Sequence, residues 1–163
     1  MTTITRAVPE EQALEFLAGG RIAVVGASPD KANFGGTVYR ALRDHGCDVV
    51  AVHRAQADID GDTTYPDLAS VPGPVDGVVV MVNRHVAPAV VREAAARGVG
   101  RVWLFKGLGG PGALSDEAVA VARHYGLDVV AGACPLMFLE PVGLVHRVHR
   151  AARRAKGSLV RTT

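Results

Sequence analysis

Two hydrophobic patterns alternate along this chain. Short apolar runs in which valine dominates form the centres of 21–26, 48–53, 76–82, 101–105 and 127–131. An unbroken apolar run of this length predicts a strand buried on both faces, as in a parallel sheet. Valine at this density favours the same reading. Between the runs, apolar positions recur every three or four residues. Val38, Tyr39, Ala41 and Leu42 predict a helix over 36–45, and Val90, Val91, Ala94 and Ala95 one over 86–97. Ser115 reads as an N-cap, with Asp116 and Glu117 at the positive end of a helix running to Tyr125. Pro9-Glu10-Glu11 opens an N-terminal helix over 9–18, which Gly19-Gly20 stops. Tyr65-Pro66-Asp67-Leu68 reads as the start of a single helical turn, broken by Val71-Pro-Gly-Pro74. A last helix over 141–156 carries Leu144, Val145, Val148, Ala152 and Ala155 on one side and a basic face on the other. Strands alternating with helices predict an α/β fold: a doubly wound sheet of about five parallel strands with flanking helices. No repeat, linker or low-complexity tract divides it, so residues 1–163 read as a single domain.

Composition narrows the classes. Net charge is only +2 and aromatics are 5%, so neither the charge nor the stacking residues of a nucleic-acid binder are present. No apolar stretch approaches the roughly 18 residues of a membrane span, and residues 1–9 carry no apolar signal core. Cys47 and Cys134 lie far apart with no CxxC pair, which predicts a reduced, cytoplasmic protein.

Ligands of open parallel sheets sit beyond the carboxyl ends of the strands, at the switch in strand order. The stretch Arg21-Ile-Ala-Val-Val-Gly26-Ala27-Ser28 ends a strand in a glycine turn and leads through Gly35-Gly36 into a helix, whose free N–H groups favour anions. The candidate site is therefore Gly26, Ala27, Ser28 and Lys31 on that turn, with His53 and Arg54, Asn83 and Arg84, and Lys106 and Gly107 after the next strands. A dinucleotide fingerprint needs G-x-G-x-x-G and an acid ending the second strand. Here Lys31 stands at the third glycine and His53-Arg54 at the acid. That argues against NAD and for a nucleotide with a further ribose phosphate, which Arg54 can fork. NADP and coenzyme A both qualify.

Val24-Val-Gly-Ala-Ser-Pro29, Gly61-x-x-x-Tyr65-Pro-x-Leu68 with Val71-Pro72, Val75-Asp76, Val102-Trp-Leu104 and Asp128-Val-Val130 with Cys134-Pro135 resemble the small CoA-binding domain proteins. These are similar to the N-terminal CoA-binding domain of the succinyl-CoA synthetase alpha subunit, and the resemblance spans roughly residues 15–139. It implies a stand-alone Rossmann-like domain that binds coenzyme A or an acyl-CoA. The pyrophosphate would lie on the Gly26 turn, the adenosine end after the second strand, and pantetheine along the third and fourth strand ends. The sequence departs from the family where the second strand usually ends in Asn-Pro, and where the fourth usually runs into a Trp-Leu-Gln turn. His53-Arg54 and Phe105-Lys106 stand there instead, and both changes add positive charge.

The remaining polar residues name no reaction. Asp30, Asp76 and Glu140 pair with no serine, histidine or second carboxylate. His146 and His149 lack a third metal ligand, so a solvated face is the expectation. Cys134 could meet a ligand thiol, but a lone cysteine near a strand is more often small apolar filler. The expectation is a coenzyme A-binding module without catalysis of its own. The alternative is an NADP-dependent or acyl-CoA-processing enzyme using another site. A homo-oligomer and an acyl-CoA enzyme as partner both stay open.

Overall fold

In a computed structural model of the protein, the structure describes residues 8–107, 112–139 and 159–160. The chain runs β1 (Val8–Pro9), α1 (Glu10–Ala18), β2 (Ile22–Val25), α2 (Phe34–Asp44), β3 (Val49–Val52), β4 (Thr64–Tyr65) and β5 (Gly77–Val80). It continues through α3 (Ala87–Ala96), β6 (Arg101–Leu104), α4 (Asp116–His124), β7 (Asp128–Ala131), a 3-10 turn (Pro135–Phe138) and β8 (Leu159–Val160). The main sheet is six-stranded in the order β4-β3-β2-β5-β6-β7, and every pair is parallel. This is the doubly wound, Rossmann-like order, with the chain starting in the middle and winding out to each side in turn. β1 and β8 pair separately in a two-stranded parallel ribbon. The helix expected over 141–156, with His146 and His149, lies outside the described residues.

The sheet has one strand more than the apolar runs suggested. Tyr65, read as the start of a helical turn, instead joins Thr64 in the edge strand β4 against Ala51 and Val52. Tyr65 precedes a proline, and the proline ring disfavours helical backbone at the residue before it. His53 N donates to Tyr65 O at 2.8 Å, and Pro66, with no N–H of its own, ends the strand.

Both faces of the sheet are covered, which explains why the strand runs are unbroken. Ile22, Val24, Ala51, Val79, Trp103 and Val130 face α1, α2 and the 3-10 turn. Ala23, Val25, Val50, Val78, Val80, Val102 and Leu104 face α3 and α4. Trp103 is fully buried at the centre of the first layer, with Phe16 and Phe138 edge-on at ring centroids of 5.4 and 5.6 Å. Its indole N–H donates to Ala133 O at 2.9 Å, so no polar atom of the ring is stranded. Ser115 caps α4 as expected, its Oγ accepting from Ala118 N at 3.0 Å. Among the described residues no helix is long and apolar enough to cross a membrane.

Candidate functional site

The switch in strand order falls at β2, whose neighbours β3 and β5 lead to opposite sides of the sheet. Beyond the carboxyl ends of these strands lies a cavity of about 710 Å³. Gly26, Val52, His53, Arg54, Met81, Val82 and Asn83 come to it from the strand ends, and Val86, Ala89, Val90 and Glu93 from α3 and the residue before it. Pro66 and Asp67, just after β4, complete it. A second cavity of about 490 Å³ continues the first, because Asn33, Met81, Val82 and Asn83 line both. It runs on past Arg84 and His85 to Phe34, Phe105 and Gly112.

Gly26 is required where it stands. Its φ is +104°, and a Cβ there would come within 2.6 Å of Met81 O, so only glycine lets β2 turn this close to β5. α2 is pressed against the same turn, since a Cβ on Gly36 would lie 2.1 Å from Ser28 O.

Asn33 fixes the turn from inside. Its Oδ1 accepts from Ser28 N at 3.1 Å and from Gly36 N at 2.6 Å, making it the N-cap of α2. Two N–H groups expected to face an anion are thus engaged by a side chain. Asp30 N donates to Ser28 Oγ and Ala32 N to Asp30 Oδ1, so the loop closes on itself. Ala27 is fully buried in the core, and Lys31 is exposed.

The loop from β3 to β4 is held by charge. Asp62 accepts from Tyr39 Oη at 2.9 Å and from Arg43 at 3.0 Å, and Asp60 accepts from Arg40 at 3.0 Å and Arg43 at 3.2 Å. The Arg43 hydrogen bond, then that of Tyr39, holds the Asp62 carboxyl below the usual carboxylate range. Burial first, then Asp62, pushes the Tyr39 phenol up to about 12. Arg54, at the rim of the first cavity, makes no hydrogen bond or ion pair among the described residues, and neither does Arg84 on the second.

Of the residues predicted for the site, the structure brings Gly26, His53, Arg54, Asn83 and Arg84 to the walls of the two cavities. Ala27, Ser28 and Lys31 belong to the adjoining turn without lining either cavity. Lys106 and Gly107 follow β6 and are not among the described lining residues. Lys106 N donates to Ala133 O at 3.3 Å, and Gly107 sits over the Phe105 ring. Cys134 is 1% exposed and packs in the core layer around Trp103, so it is out of reach of a ligand thiol. Among the described residues no cluster of three His, Cys, Asp or Glu side chains could hold a metal.

Residues 20–140 match the family described as CoA binding domain. The chain belongs to the CoA binding domain family. The match nearly coincides with the stretch on which the sequence resemblance rests. A curated relative, "Acetate--CoA ligase [ADP-forming] I" of Archaeoglobus fulgidus, is 35% identical over 118 residues, which are 69% of this chain and 17% of the ligase. This CoA binding domain therefore spans under a fifth of that enzyme's length. A hypothetical protein from Pyrococcus horikoshii superposes with a TM-score of 0.75 at 26% identity, covering 87% of this chain and 96% of that one. The dinucleotide forming acetyl-coenzyme A synthetase 1 of Ca. Korarchaeum cryptofilum, solved with phosphate and ADP, gives a TM-score of 0.63 at 28% identity. That match covers 74% of this chain and 27% of the synthetase. The fold thus occurs both as a small separate protein and as part of a much larger enzyme.

Proposed function

We propose that this protein binds coenzyme A, or an acyl-CoA, along the continuous groove formed by the two cavities, and performs no catalysis there. The observation that carries the reading is the contrast among its arginines. Arg40 and Arg43, behind the loop, are committed to Asp60 and Asp62, whereas Arg54 and Arg84 reach the groove unpartnered among the described residues. A ligand with phosphates at one end and an apolar arm at the other suits such a groove. The adenosine end lies in the larger cavity against Val52, Pro66, Val82, Val86 and Val90, with its ribose phosphate toward Arg54. The pyrophosphate lies by the Gly26 turn and Lys31, and pantetheine runs past Asn83 and Arg84.

Three polar side chains of the larger cavity, His53, Asp67 and Glu93, already hold neighbouring groups of the chain. His53 Nδ1 accepts from Ala55 N, Glu93 Oε1 from Leu68 N, and Asp67 Oδ1 from Ser70 N and Oγ. None is aimed at another as a nucleophile and its base would be, which supports binding rather than chemistry. Calorimetric titration with CoA, NADP and NAD tests the reading. CoA is expected to bind and NAD not to. NAD binding as tight as CoA, or NADP tighter than both, would overturn it.

A further inference from the structure

One stripe of α3 and its entry faces the larger cavity. Val86, Ala89, Val90 and Glu93 all line it, and their spacing of i, i+3, i+4 and i+7 puts them in a row on one side of a helix. Three of the four are apolar and suit the flat face of a ligand ring. The fourth is a carboxylate. Arg54 lines the same cavity and suits an anion. An acid there works against the phosphates of the proposed ligand, and it costs affinity unless it meets a donor.

The fold itself does not require the charge of Glu93. Its Oε1 accepts from Leu68 N at 2.6 Å, which holds α3 to the segment after β4. A neutral amide oxygen would serve that N–H as well. A carboxylate has two oxygens and about four acceptor positions, so most of its capacity is left over. No cation neutralises it among the described residues. Arg97 stands one turn further along, where an i, i+4 partner belongs, yet its guanidinium donates to Leu68 O and Gly73 O. Arg54 is not within ion-pair distance either. The larger cavity thus carries a positive group and a negative one that do not pair.

We propose that Glu93 reads the exocyclic amine of the adenine base, and so decides which way round the nucleotide end lies in the larger cavity. The inference rests on the proposed binding of coenzyme A and adds the base specificity of that site. The chemistry matches group for group. Adenine is flat and carries an amine with two N–H donors, whereas a ribose phosphate is anionic. Glu93 attracts the first and repels the second, and Arg54 does the reverse. An amine donating to a carboxylate makes a charge-assisted bond, the stronger kind. Val86, Ala89 and Val90, on the same stripe, give the ring its apolar wall.

Calorimetry with CoA and with its analogue carrying hydrogen in place of the 6-amino group tests this on wild type and Glu93→Gln. Wild type is expected to bind CoA roughly tenfold or more tighter than the analogue, the scale of one hydrogen bond to a charged group. Glu93→Gln keeps an oxygen for Leu68 N, so the anchor survives, and it turns an NH2 group to the cavity where an acceptor stood. Two donors then oppose each other, and the analogue should bind at least as tightly as CoA. If CoA itself does not bind wild type, the proposed function fails and the base reading with it. If wild type binds CoA and the analogue equally, the base reading alone is overturned, and no variant is needed to see it. If Glu93→Gln keeps the wild-type preference, Glu93 only anchors Leu68 and the assignment falls.

Discussion

Arg43 and Arg54 lie on either side of one loop and face opposite demands. Arg43 has Asp44, Asp60 and Asp62 within ion-pair distance, and its charge is consumed locally. Arg54 has no carboxylate to answer among the described residues, so its guanidinium is available to an incoming anion. Arg54→Glu should therefore weaken coenzyme A more than dephospho-CoA. A hydrogen bond to a charged group is worth about 1.5–3 kcal/mol, so titrations of the two ligands should separate by roughly tenfold or more. An equal loss for both would show that Arg54 does not read the ribose phosphate. Arg54 was legible in the sequence because a basic residue ending a parallel strand has few places to go. Asn33 was not, since its role needs Ser28 and Gly36 brought together by the turn.

At the scale of elements, the connection from β3 to β4 shows where sequence patterns stop working. Its order comes from α2, through Tyr39, Arg40 and Arg43, rather than from any periodicity of its own. The same interactions give the loop an acid limit. Asp60 is held below its ordinary range first by Arg40, and Asp62 first by Arg43. A carboxyl with a depressed folded value stabilises fully above its unfolded value, about 3.9, and loses that contribution as pH falls through the lower folded value. Wild type should thus melt above Asp62→Asn by a constant margin from neutrality down to about pH 4. The margin should then shrink as the solution is acidified further. A margin that already closes between pH 7 and pH 5 would contradict this account. β4 was misread for a related reason: two residues are too few to show a period, and the preference set by Pro66 was outweighed by the appearance of a turn.

Over the whole molecule, the doubly wound parallel sheet and the place of the groove were largely legible. Unbroken valine runs require cover on both faces, and cover on both faces requires crossovers through helices. The two cysteines were harder. Cys134 follows β7 at the sheet's carboxyl edge, near the groove in sequence terms, but the Pro135–Phe138 turn folds it inward beneath Trp103. Burial also raises the Cys47 thiol. Both thiols should react slowly with a disulfide reagent in the native protein and at once after unfolding. Intact-mass measurement after incubation with CoA disulfide should find no adduct on Cys134. A rapid native-state adduct there would mean that the turn opens.

The hydrogen bond from α1 to the edge strand β7 has a colloidal consequence. Asp128 N and Gly132 N donate inward to Gly100 O and Leu104 O of the β6 region, so the Val129 carbonyl between them points away from the sheet. Gln12 Nε2 reaches that carbonyl at 3.0 Å. An unblocked parallel edge is a template on which another chain can add a strand. Gln12 occupies the acceptor that such a newcomer would need first, and it does so from a helix packed close enough to obstruct the approach. Gln12→Ala should leave the melting temperature nearly unchanged, yet light scattering on prolonged warm incubation should rise sooner than for wild type. In this protein a single glutamine on the first helix then helps to decide how long a concentrated solution stays clear.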